Sequence, residues 1–462
     1  MPSGIMRKNT ATVLAVAAFA YFMPAFASAE NTTPAPAEVK SIAEDAYIFA
    51  YPMLYGYQTL YNQTQDATFP GYIGGFGQYR HYARAATPAD LDIVTPNNDT
   101  TYSWAWLDLR REPVVFQTPD IDEGRYNVFQ WVDLYTHIFA SPGSRLTEMR
   151  GGTYMFAGPD WTGKTPVGID KVFQAETDFV GTLTRTGISG AADIPKVREI
   201  QRGYRFTPLS AYMAEKPPAP APELNFPVWH EEQAKGPAFI GYLNFLLGHA
   251  KPNPADANTL KRFAAIGIGP GKSFDAAKLD KETASAIQAG IDAALKKLNA
   301  RVATNKDNIG LFGSREYLKG DYESRAIGAM IGIYGQNEQD AVYFSYQADK
   351  DGKPLDGTKS YELTFKEAPP VSQFWSLTMY NLPQRLLADN AINRYSIGDR
   401  TEGLVKDSNG GVSIVLSNTD PGKGKNWLPT PKGSFFLVMR MYGPGEGIVK
   451  GTWRRPEPSI VN

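Results

Sequence analysis

From about Leu91 the apolar residues recur at every second position, and they do so again beyond Asp307. That period places alternate side chains on opposite faces of a strand, so one face is buried and the other stays polar. The early runs are "TYSWAWLDL", "REPVVFQTPD", "RYNVFQWVDLYTHIFAS", "GGTYMFAGP" and "TDFVGTLTRTGI". The late runs are "QFWSLTMYNL", "GGVSIVLSN" and "SFFLVMRMYGP", together with "DAVYFSYQADKDGKPLDGTKSYELTF", which reads as a hairpin. Short strands split by Gly, Pro and Asp turns make antiparallel sandwiches or barrels. The 43 Gly, 34 Pro and 12% aromatic residues suit such a chain better than a helical bundle.

Two stretches keep a helical period instead. In "EVKSIAEDAYIFAYPMLYGYQTLYNQ", Val39, Ile42, Ala46, Phe49 and Ala50 form an apolar stripe, with Pro52 expected to kink or restart the helix. Over 236–304, Asp256 is a plausible N-cap and Gly267 a stop, and the run from Asp280 is strongly amphipathic. The expected layout is a linker and helix over 30–64, a first β domain over 65–235, a helical segment over 236–304 and a second β domain over 305–462.

Residues 1–29 read as a secretory signal. Arg7 and Lys8 precede "TATVLAVAAFAYFM", and Ala27-Ser28-Ala29 offers a cleavage site before Glu30. The apolar run, about 14 residues, is shorter than the ~20 that span a bilayer, so no membrane span is expected after cleavage. No Cys follows it, which excludes a lipid-anchored lipoprotein. The location expected is therefore periplasmic or secreted. The whole chain lacks cysteine, so thiol chemistry and Cys-ligated metals are excluded. A net charge of -1 gives no basic excess with which to grip nucleic acid.

Several motifs together resemble a known pair of families. They are "TPNNDTTY", "RYNVFQWVDLYTH", "GPGKSFD", "FWSLTMYNLPQRLLADNAINRYSIGDR" and "FFLVMRMYGP". In this order they are similar to exported proteins that carry domains of unknown function 1254, over roughly 65–190, and 1214, over roughly 330–445. The resemblance implies two antiparallel β-sandwich domains with packed helices, an α+β fold, the first sandwich akin to a viral-coat jelly roll. It implies no catalytic residue set.

Three clusters carry candidate chemistry. In "TPNNDTTYSW", Asn98, Thr100 and Tyr102 share one strand face with Trp104 beyond them, while Asn97 precedes the strand and Asp99 points the other way or into the loop. Amides and hydroxyls read sugar hydroxyls and rings stack on sugar faces, but Asn and Asp at a strand entry also serve a turn. In "WVDLYTH", Trp131, Asp133, Tyr135 and His137 alternate onto one face. Asp133 and His137 are the best acid–base candidates, yet a straight strand holds them ~13 Å apart. That face is equally a satisfied polar one. The stretch from Tyr380 gathers Tyr380, Asn390, Arg394 and Tyr395 as candidate ligand contacts, with Arg394 or Arg400 as a fork for a carboxylate or phosphate. Its side chains also suit the needs of its own backbone.

No cofactor is expected. A phosphate loop, a GxGxxG turn, a GxSxG elbow and an HExxH helix are all absent. The four histidines are scattered, so zinc would need ligands from distant segments, and "DKDGKPLDG" lacks EF-hand spacing. The reading that follows is an exported envelope protein that binds a glycan or another polyhydroxylated small molecule in a cleft between the β domains. The alternatives are an exported hydrolase or lyase using Asp133, His137 or Asp99, and a structural jelly-roll protein. A homo-oligomer is compatible with each.

Overall fold

The computed structural model describes Met1 and residues 34–90, 95–147 and 150–461. The signal segment and its cleavage site at Ala29–Glu30 lie outside the described residues. No helix among the described residues is long and apolar enough to cross a membrane.

The alternating runs do form strands. The first set is β1 (Arg80–Tyr82), β2 (Thr100–Asp108), β3 (Val114–Gln117), β4 (Asn127–Val132), β5 (Ile138–Ala140), β6 (Thr153–Ala157), β7 (Lys171–Gln174), β8 (Phe179–Gly187) and β9 (Arg205–Pro208). The second set is β10 (Ala341–Tyr346), β11 (Ser360–Phe365), β12 (Val371–Asn381), β13 (Ser396–Gly398), β14 (Val412–Ser417), β15 (Asn426–Pro429), β16 (Phe435–Pro444) and β17 (Ser459–Val461). The sheet orders are β1-β2-β8-β4-β5 and β7-β6-β3-β9 in the first set, then β10-β16-β12-β13 and β15-β14-β11-β17 in the second. Two sandwiches and packed helices result, an α+β fold with no barrel.

Each sandwich closes on its own apolar face. In the first, Leu107, Phe116, Phe129, Trp131, Phe156 and Val180 fill the space between sheets. In the second, Leu363, Leu377, Ile414, Leu437, Met439 and Met441 do so. The other face of the β2–β8 sheet meets the helices. Trp106, Val132 and Leu183 pack there against Pro36–Thr64, Phe239–Gly248 and Lys281–Thr304. The Pro36–Thr64 helix runs through Pro52 without restarting. Residues on both sides of that proline are buried, and packing rather than local propensity decides helix continuity. Gly290 permits the closest helix crossing, since a Cβ there would sit 2.5 Å from the Lys40 carbonyl oxygen.

Several expectations change. The stretch 315–332 is helical, with helices Arg315–Leu318 and Tyr322–Gly332, so the second set of strands begins at Ala341 and not at Asp307. The expected hairpin at "DKDGKPLDG" is instead a crossover. Its first strand, β10, pairs with β16, whereas β11 pairs with β14 and β17 in another sheet. Gly267 does end its helical turn in a left-handed conformation, as expected. Asp256 makes no capping bond to the helix Ala257–Phe263; Asn253 caps the short turn Pro254–Asp256 before it, accepting from the Ala255 N–H at 3.0 Å.

Candidate functional site

"WVDLYTH" is not one strand. β4 ends at Val132, β5 starts at Ile138, and the five residues between them turn back. Thr136 takes φ 67°, and the Asp133 carboxylate accepts from the His137 backbone N–H at 2.8 Å. The turn therefore brings the Asp133 and His137 side chains to 3.5 Å, far closer than a straight strand allows. It also breaks the shared face. Trp131 lies wholly buried inside the first sandwich, packed against Phe156 with ring centroids 4.0 Å apart and the planes tilted by 33°. Tyr135 packs into the helical core. The expectation that Trp131, Asp133, Tyr135 and His137 together border an open concavity is corrected: all four are buried.

Around that turn stands an ion network assembled from distant segments. Arg315 donates to Glu176 at 2.6 Å and to Asp256 at 2.8 Å, and its guanidinium lies 4.7 Å from the Tyr135 ring centre. Tyr322 donates to Asp256 at 2.5 Å. Arg325 donates to the Tyr135 and Phe49 carbonyls, and burial pulls its guanidinium down to about 10, so it is still charged at neutral pH. Ligand atoms of Asp133, His137 and Glu176 lie within 4.8 Å of one another, the spacing of a metal site. Yet Glu176 already gives one oxygen to Arg315 and the other to Asn253 at 2.9 Å. A dication at that point would face the Arg315 charge directly. The network reads as a structural one.

The open site lies elsewhere. A cleft of about 1270 Å³ runs between the two sandwiches, floored in part by the end of the Tyr322–Gly332 helix. Thr100, Tyr102 and Trp104 of β2 line it, as does Asn97. Phe436, Val438 and Arg440 of β16 face it, while Leu437, Met439 and Met441 point into the second core. Period two thus sorts both walls. Asn98 does not line the cleft, and Asn97 spans the seam. Its side chain accepts from the Asp99 N–H at 2.7 Å and donates to Thr100 and to Tyr442, each at 3.1 Å.

Asp99 is a tie between the sandwiches. Its buried carboxylate accepts from Ser376 at 2.6 Å and Tyr442 at 3.1 Å. Beside it Tyr380 donates to the Pro96 carbonyl at 2.7 Å. Burial raises the phenols of Tyr442 and Tyr343, so both stay protonated donors. The polar loop after Tyr380 serves mainly itself. Asn390 accepts from the Arg394 N–H at 3.0 Å and donates to the Arg394 carbonyl at 2.9 Å. Arg394 donates to the Trp427 carbonyl at 3.0 Å, Tyr395 donates to Asn393, and Arg400 lies over the Phe374 ring. Tyr380, Asn390, Arg394 and Tyr395 do not line the cleft; Leu382 and Arg385 of that loop do.

Sequence reasoning passed over Arg185 and Arg440. Both line the cleft, and both side chains are buried. The visible signal is a lone arginine inside an otherwise uncharged strand, "VGTLTRTG" and "FLVMRMY". A charge so placed is not there for core packing.

The comparisons with known proteins fit this architecture. The model of a protein of unknown function, DUF1254, matches residues 76–208, and that of DUF1214 matches residues 340–446. The crystal structure of the VPA0106 protein from Vibrio parahaemolyticus is similar at 29% identity and a TM-score of 0.76, covering 92% of this chain and 100% of its own. An uncharacterized protein from Burkholderia cenocepacia aligns at 11% identity and a TM-score of 0.42, over 92% of this chain and 94% of its own. No curated protein matches. The chain thus carries a DUF1254 match over its N-terminal sandwich and a DUF1214 match over its C-terminal one.

Proposed function

We propose that the protein binds a small polyhydroxylated molecule, a sugar or short glycan, in the cleft between its two sandwiches. The observation that carries the reading is the lining itself. Thr100 offers a hydroxyl and Asn97 the second lone pair of its amide oxygen, its two amide N–H groups being held by Thr100 and Tyr442, and Tyr102, Trp104 and Phe344 offer ring faces, around a volume of about 1270 Å³. Binding pockets combine apolar and aromatic walls with a few fixed polar groups, and this one is of ordinary size or larger. Binding is favoured over hydrolysis by where the carboxylates lie. Glycosidases place two of them across the scissile bond. Of the described acids lining the cleft, Asp90 is locked in an ion pair with Arg84, which leaves Asp307. The Asp133–His137 pair is buried outside the cleft lining.

The reading is tested by melting the protein against neutral and acidic oligosaccharides. A ligand at 100 times its Kd stabilises the native state by about 2.7 kcal/mol, which appears as a rise in melting temperature. A flat response to every sugar at millimolar concentration removes the reading. The N-terminal pattern at residues 1–29 further supports export, with a periplasmic or secreted mature chain starting at Glu30. Mass spectrometry of the protein from its native host checks this, and an intact N-terminus in the mature pool contradicts it.

A further inference from the structure

Across the cleft, the two sandwiches present the same pair of residues in the same register. In the first, Tyr102 of β2 stands directly opposite Arg185 of β8. In the second, Tyr343 of β10 stands directly opposite Arg440 of β16. All four line the cleft. The two pairs meet over one short segment: Arg185 donates to the Tyr334 carbonyl at 2.5 Å, and the Tyr343 hydroxyl donates to the Gln336 side chain, two residues on, at 2.7 Å.

Neither guanidinium has a carboxylate within ion-pair distance among the described residues. Arg185 donates to the Gln130 side chain at 3.0 Å and the Tyr334 carbonyl at 2.5 Å, and its guanidinium sits 5.8 Å from the Tyr102 ring centre. Arg440 donates to Thr378 at 2.9 Å, Tyr380 at 2.8 Å and the Thr95 carbonyl at 3.4 Å. Asp99 is near enough to act on Arg440 electrostatically, but it gives its hydrogen bonds to Ser376 and Tyr442. A guanidinium carries five N–H donors, and these bonds leave donors over on each. Burying a cation without an anion costs several kcal/mol, and two such cations at one cleft call for an anion from outside. The wider lining agrees. Six Arg and Lys side chains and two Asp side chains of the described residues line the cleft, in a chain whose net charge is -1. Clefts of one sign concentrate ligands of the other.

We propose that the ligand carries an acidic group, a carboxylate as in a uronic-acid sugar, held between Arg185 and Arg440 with Tyr102 and Tyr343 flanking it. This rests on the binding reading above and names its ligand class. Arginine suits a carboxylate because its planar fork donates two parallel hydrogen bonds.

The test is calorimetric titration of the full mature protein with trigalacturonate and with its methyl ester, which keeps the shape and removes the charge. Free acid binding at least 10-fold tighter than the ester is the expected result. Arg185→Met and Arg440→Met should each weaken binding of the acid by about 10- to 100-fold, the scale of a hydrogen bond to a charged group, and change binding of the ester little. Arg440→Lys keeps the charge without the fork and should fall in between. The ligand-free Arg185→Met protein should melt within a few degrees of the parent, because a buried unpaired cation is lost with its bonds. Equal binding of acid and ester overturns the acidic-group proposal and leaves the cleft reading standing. Binding of neither form overturns the acidic-group proposal, and the cleft reading is then decided by the melting panel of neutral sugars. If a methionine variant fails to fold, the acid–ester comparison on the parent still decides.

Discussion

Replacing Arg315 with methionine is expected to destabilise the protein by about 3–5 kcal/mol, the cost of stripping the partner from the buried Asp256 carboxylate. Arg315 is the hub of the network beneath the Asp133–His137 turn. It holds Glu176 at 2.6 Å and Asp256 at 2.8 Å, and the Asp256 side chain is 1% exposed. Methionine fills most of the stem's volume but supplies no charge. Asp256 would keep only the Tyr322 hydroxyl. Three segments would loosen together, because Glu176 precedes β8, Asp256 starts a helical turn and Arg315 opens the helix that leads to Tyr322. The double variant Arg315→Met with Asp256→Asn should recover part of the loss, since no bare charge then remains buried. Equilibrium unfolding in urea of both variants measures the coupling. A single variant as stable as the parent would show that the network contributes nothing to folding and would reopen the cluster as a ligand site.

Trp131→Ala should cost a similar amount, about 3–5 kcal/mol, through the cavity left in the first sandwich. The indole is fully buried among Phe116, Phe156 and Phe206, and its ring nitrogen finds no acceptor. Trp131→Phe should therefore be much milder. It keeps a ring against Phe156 and removes an unsatisfied N–H, itself a burden of about 1–3 kcal/mol. Neither change should alter binding of trigalacturonate to the folded protein. Lost affinity with unchanged stability would return Trp131 to the ligand-contacting role that its alternating position suggests.

What the sequence made legible follows from locality. Period two identified most strands and, for "TYSW", the correct face: Thr100, Tyr102 and Trp104 do line the cleft. The same rule failed two strands later, at "WVDLYTH". There the turn contains no glycine, proline or asparagine, and a β-branched residue, Thr136, takes the left-handed conformation. Such a turn carries little sequence signal, because Asp133 is its one turn-forming residue and its bond to the His137 N–H shows only once the chain is folded. Partner choice was equally hidden. "DKDGKPLDG" has sound turn chemistry, yet the strands around it join different sheets, and that is decided by contacts with β14, β16 and β17 much later in the chain. The cleft's arginines were visible as oddities in their own strands. Their convergence depends on how two sandwiches meet, and Asn97, Asp99, Ser376 and Tyr442 set that meeting through side-chain bonds across the seam. Short motifs do not encode it.

The most direct measurement is a crystal of the mature protein soaked with trigalacturonate. The account places a sugar carboxylate between the Arg185 and Arg440 guanidiniums, with the sugar ring against Tyr102 or Trp104. A clear cleft at saturating ligand, or the sugar bound at another surface with both guanidiniums unoccupied, would contradict it.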